Sequence, residues 1–106
     1  MYNKTHDFMM RDKLRGNGEK LKDGFVRVAA LTPKIKVADC DYNTERIIEL
    51  IKEASQKKAS LVVLPEMCIT GYTCGDLFLQ ETLLESAKRS LIKICNESLK
   101  YKNMLI

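Results

Sequence analysis

The run Leu61-Val62-Val63-Leu64-Pro65-Glu66 constrains this chain more than any other stretch. Four apolar residues in a row, two of them β-branched, suit a strand covered on both faces, as in a parallel sheet. Proline has no amide hydrogen to give to a ladder, so pairing must stop at Pro65. Glu66 is then delivered to the carboxyl end of the strand, where α/β proteins gather their ligands. A loop with two glycines, Gly71-Tyr72-Thr73-Cys74-Gly75-Asp76, comes next.

The flanks fit the same architecture. Phe25 to Leu31 is β-branched-rich and apolar, and Thr32-Pro33 ends it. After a loop to Asp39, Asp41 or Asn43 is placed to cap a helix whose inner face is Ile47, Leu50, Ile51 and Ala54. That helix fades at Gln56-Lys57-Lys58. Strand, helix and strand at this spacing predict a right-handed parallel βαβ unit. Thr82-Leu83-Leu84-Glu85 has the form of a capping box. Leu84, Ala87, Leu91 and Cys95 mark the stripe of a second helix running to about Leu99. Met104-Leu105-Ile106 reads as the start of a third strand, giving the order β-α-β-α-β. Two helices cover at most one sheet face, so the expectation is the N-terminal piece of a larger α/β protein.

Composition excludes several classes. The net charge is +4, and six basic and four acidic residues of the first 23 leave the excess evenly spread. Without a basic stripe, no nucleic-acid partner is expected. Residues 1–23 are polar and show neither period 2 nor period 3.6, which predicts a disordered leader before a domain at 24–106. Cysteines at 40, 68, 74 and 95 match no zinc spacing, and His6 lies in the leader, so no metal site is expected. Reduced thiols, no secretory h-region and no membrane-length apolar run point to a cytoplasmic protein without membrane association.

The chemistry centres on Glu66. Leu64, Met67 and Ile69 around it would desolvate the carboxylate, raise its pKa and make it a general base. The plainer alternative is an acid that caps a loop or pairs with a lysine. Gly71 and Gly75 allow a tight loop near a ligand, although the spacing is not that of a phosphate loop. Tyr72 is the candidate substrate-binding residue, and packing is its competing role. Cys68 and Cys74 are either nearby nucleophiles or buried structural thiols. In an extended segment, Cys68 would lie on the same side as Glu66.

Leu64-Pro65-Glu66-Met67-Cys68-Ile69-Thr70-Gly71-Tyr72 after an apolar strand resembles the glutamate signature of the nitrilase, or carbon–nitrogen hydrolase, superfamily. Gly24 to Pro33, Val37-Ala38-Asp39, Tyr42-Asn43 and above all Gly71 to Phe78 resemble the glutaminase domains of glutamine-dependent NAD synthetases. The resemblance spans about residues 24–106. It implies an α/β fold, the start of an α-β-β-α sandwich of the nitrilase type, and a Glu, Lys, Cys catalytic set with Glu66 as general base. It also implies glutamine as substrate of the complete domain. Ammonia then passes to a synthetase domain that uses ATP and magnesium to amidate nicotinic acid adenine dinucleotide. Full-length members are expected to be homo-oligomers.

The family's lysine and cysteine motifs lie beyond Ile106, so neither Cys68 nor Cys74 matches the nucleophile. No cofactor is expected in this chain itself. The chain alone, without the missing C-terminal remainder, is expected to hydrolyse no glutamine, because such groups act as a unit. Two alternatives stand beside this reading. One is part of a stand-alone amidase, against which the Cys74-Gly75-Asp76-Leu77-Phe78 run speaks. The other is a non-catalytic binding or assembly module, which would fold alone and melt cooperatively.

Overall fold

The computed structural model describes the backbone of residues 4–11 and all of residues 24–106. The elements are β1 (Lys4–Arg11), β2 (Phe25–Thr32), α1 (Cys40–Gln56), β3 (Leu61–Val63), a 3₁₀ turn (Gly75–Leu79) and α2 (Glu81–Ser98). β2 and β3 are parallel, with Ala29 opposite Val62 and Ala30 opposite Val63. Leu105 forms a parallel bridge to Leu61. The Val62 amide donates to the Leu105 carbonyl at 2.7 Å, and the Leu105 amide donates to the Ser60 carbonyl at 3.0 Å. The expected β-α-β-α-β order is therefore present, with its last strand reduced to one bridge.

Residues 4–11 correct the expectation of a disordered leader. They form a strand antiparallel to β2, in register from Lys4 opposite Thr32 to Arg11 opposite Phe25. A ladder is made by main-chain groups, so the open edge of β2 can recruit a strand that has no side-chain period. The rest of that expectation, residues 1–3 and 12–23, lies outside the described residues.

One sheet face is packed. Ala29, Leu31 and Val62 meet Ile47, Leu50, Ile51 and Ala54 of α1 and Ile94 of α2 in a single core. The stripe expected on α1 is buried at all four positions. On the other face Val63 is 50% exposed, which departs from the expected double coverage of that strand. The fold is thus α/β, one helical layer on one sheet, as at the start of an α-β-β-α sandwich.

The helix ends differ from expectation. Asp39, rather than Asp41 or Asn43, caps α1, and its Oδ1 accepts from the Tyr42 amide at 3.0 Å. Its extended-side φ of −98° and ψ of 76° put the carboxylate over the first turn. Asp39→Ala is expected to lower stability by about 1 kcal/mol, read as a lower urea midpoint. The Thr82–Glu85 capping box does not form. α2 begins at Glu81 after an extended Gln80, so Thr82 already lies inside the first turn and no side chain caps it.

The inner face of α2 is also rotated. Leu83, Ser90 and Ile94 are buried, with Ala87 partly so, while Leu84 is 45% and Leu91 55% exposed and Cys95 is exposed. A one-residue shift turns a helix by about 100°. The sequence carries two adjacent apolar rows, and α1 selects the one that places small Ser90 under the Cys40 carbonyl, to which its hydroxyl donates at 3.4 Å.

Candidate functional site

The acid emerges where β3 stops. The strand ends at Val63, Leu64-Pro65 leads out, and residues 66–70 form a turn. The Gly71 amide donates to the Met67 carbonyl at 2.8 Å and closes that turn. Met67 has φ of 60°, a left-handed conformation that a side-chain-bearing residue adopts at a cost of about 1–2 kcal/mol. Gly71 has φ of +88°, and a Cβ there would stand 3.2 Å from the Val37 Cα, so glycine is required on both counts. Gly75 also has positive φ, but a Cβ there would meet open space.

Glu66 is exposed, which corrects the expected desolvation by Leu64, Met67 and Ile69. The turn directs those residues differently: Leu64 and Ile69 pack on the main core, while Met67 is 37% exposed. The contact that Glu66 does make is with Tyr72, whose hydroxyl donates to Glu66 Oε2 at 3.3 Å. Tyr72 is itself 67% exposed, so packing is not its role. The structure therefore brings together the two candidate residues, an acid and a phenol, on one accessible surface.

The cysteines are elsewhere. Cys68 does not share the side of Glu66, because the segment is a turn rather than extended backbone. It is half-buried against the main core, and burial pushes its thiol above the ordinary value. Cys74 is buried with Cys40 and Leu83 in a second small core, where Ala38, Ile69, Phe78 and Ala87 pack on them. Its Sγ donates to the Thr70 carbonyl at 3.1 Å. Burial, with lesser help from nearby Asp41, raises the Cys40 thiol, although a Ser86 hydrogen bond opposes this. Raised thiols hold little thiolate near neutrality and make poor nucleophiles. Cys74 and Phe78 thus anchor the 71–78 loop to that second core.

One residue of the site was not read as such from the sequence. Asn43 was a candidate cap, yet it is fully buried on the first turns of α1 and bonds to two loops. Its signal was present as a polar residue at i−4 from the apolar stripe that begins at Ile47. Among the described residues, no group of three or more His, Cys, Asp and Glu side chains is placed to hold a metal ion.

The carbon-nitrogen hydrolase family profile matches residues 27–106. The glutamine-dependent NAD(+) synthetase of Mycobacterium tuberculosis (strain H37Rv) is 33% identical over 75 residues, covering 71% of this chain and 11% of that protein. The enzyme of the same name from Aquifex aeolicus is 31% identical over 65 residues, covering 61% and 11%. The crystal structure of a glutamine-dependent NAD(+) synthetase from Cytophaga hutchinsonii superposes with a TM-score of 0.64 at 32% identity, covering 68% of this chain and 12% of that one. The chain therefore spans about a tenth of the length of these relatives.

Proposed function

Because this chain belongs to the carbon-nitrogen hydrolase family, we propose that it supplies the general base, Glu66, for hydrolysis of the side-chain amide of glutamine. The observation that carries this reading is the accessible Glu66–Tyr72 pair at the end of β3, on a turn that requires Gly71. The likeness to enzymes named for their dependence on glutamine supports the choice of amide. Glu66 takes the proton of a cysteine thiol, the thiolate attacks the amide carbon, and the proton leaves with ammonia. Water then cleaves the thioester and releases glutamate. Tyr72 stands beside the base, where its hydroxyl can also meet substrate.

Neither half-buried Cys68 nor buried Cys74 suits the nucleophile's role. We assign that cysteine, and the lysine that assists it, to residues outside this chain. In a protein of the relatives' length, the ammonia is used to amidate nicotinic acid adenine dinucleotide, with ATP and magnesium. The residues present here do not fit those groups, since the 71–76 loop lacks a phosphate-loop pattern. No step through them is assigned to this chain. The cytoplasm suits four free cysteines, and homo-oligomers are expected at full length. No helix among the described residues is long and apolar enough to cross a membrane.

The test is a chimaera in which residues 24–106 replace the matching segment of the Cytophaga hutchinsonii enzyme. Glutamine-dependent ammonia release at a rate within about tenfold of that enzyme is the expected result, since general-base placement is the term at stake. A soluble chimaera that releases no ammonia would overturn the reading. The unfused chain is expected to release none.

A further inference from the structure

We propose that Asn43 is a positioning residue for Glu66: its side-chain amide, acting through the Ile69 carbonyl, sets the turn on which the acid stands. This rests on the reading of Glu66 as the base. The amide is fully buried and joins two loops that are far apart in sequence. Nδ2 donates to the Lys36 carbonyl at 2.8 Å and to the Ile69 carbonyl at 2.7 Å, and Oδ1 accepts from the Lys36 amide at 2.7 Å. Both Nδ2 hydrogens are thereby used, which is all that an asparagine can donate.

The two loops also meet beside this clamp. The Ala38 amide donates to the Thr70 carbonyl at 2.7 Å, and the bare Gly71 lies against Val37. Glu66 and Met67 are both exposed, so no packing of their own side chains fixes them. Met67 nevertheless holds a left-handed conformation, and such strain persists only where surrounding structure over-determines it. The bond from Asn43 to Ile69, two residues beyond Met67, provides that determination from beneath. The rigid platform is α1, whose inner face is the core itself.

Asparagine is required because only a neutral amide both accepts from one main-chain amide and donates to two carbonyls at this size. Asn43→Asp keeps the acceptor and the shape but removes both donors. It also sets a carboxylate against the Lys36 and Ile69 carbonyls, which repel it.

The experiment is NMR on the selectively labelled chimaera. In Asn43→Asp, hydrogen exchange at the Gly71 and Ala38 amides is expected to speed by about tenfold or more, as loss of a buried hydrogen bond permits local opening. The Tyr72 ring to Glu66 γ-proton contact is expected to vanish, while exchange at Ile51 and Ala54 changes little. Ser90→Ala is the control, because Ser90 is also buried and hydrogen-bonded, but to the Cys40 carbonyl rather than to the turn. A Tyr72–Glu66 contact that survives in Asn43→Asp, or that is lost equally in Ser90→Ala, would overturn the proposal. Should Asn43→Asp not fold, the unsubstituted chimaera decides. A scalar coupling from the Asn43 side-chain amide to the Ile69 carbonyl carbon supports the clamp, and its absence refutes it. An inactive chimaera would leave these readouts unchanged, so the two failures are distinguishable.

Discussion

Glu66→Gln in the chimaera is expected to lower glutamine hydrolysis by about 10²–10⁴-fold, the usual worth of a positioned proton acceptor. Glutamine has the shape of glutamate, and its amide oxygen can still accept from the Tyr72 hydroxyl, which stands 3.3 Å from Glu66 Oε2. What the substitution removes is the capacity to take a proton from a thiol. NAD formation from added free ammonia should be unchanged, since that step bypasses the amide. Equal loss of both activities would point to a folding defect. Near-normal glutamine hydrolysis would show that another group is the base.

The second large effect concerns stability. Ile51→Ala should lower the stability of the chimaera by about 2–5 kcal/mol, through lost transfer energy and the cavity left behind. Ile51 is fully buried between Ala29, Leu31 and Val62 of the sheet and the rest of the α1 stripe. The neighbours are short or held by the sheet, so the site cannot collapse easily onto the gap. At about 2–4 °C per kcal/mol for domains of 150–250 residues, the melting temperature should fall by roughly 4–20 °C. A fall of less than about 2 °C would mean that α1 is not the core element described, given the cost of such cavities.

What the sequence made legible follows from strong local signals. Pro65 marks the end of pairing whatever the surroundings, and the α1 stripe allows one inward face only. The residues that misled did so for tertiary reasons. α2 carries two adjacent apolar rows, and only contact with α1 decides that Leu83 and Ile94 face inward rather than Leu84 and Leu91. Thr82 and Glu85 have the spacing of a capping box, but the helix starts two residues too early for it, with Gln80 at the cap position. Proximity to apolar neighbours in sequence suggested a desolvated Glu66, while a turn with Met67 at positive φ sends those neighbours to the core and the acid to water. Asn43 was legible as polar and not as buried, because its three partners lie in loops brought together by the fold.

β1 closes one side of β2. Its eight residues pair along β2 from end to end, so the main-chain donors and acceptors on that side are already taken. On the opposite side Leu105 makes a single bridge, with Leu105 itself 73% exposed. An unpaired edge is a template for another strand. A strand that joins the sheet on this side therefore enters beside residues 104–106 and extends it away from β2.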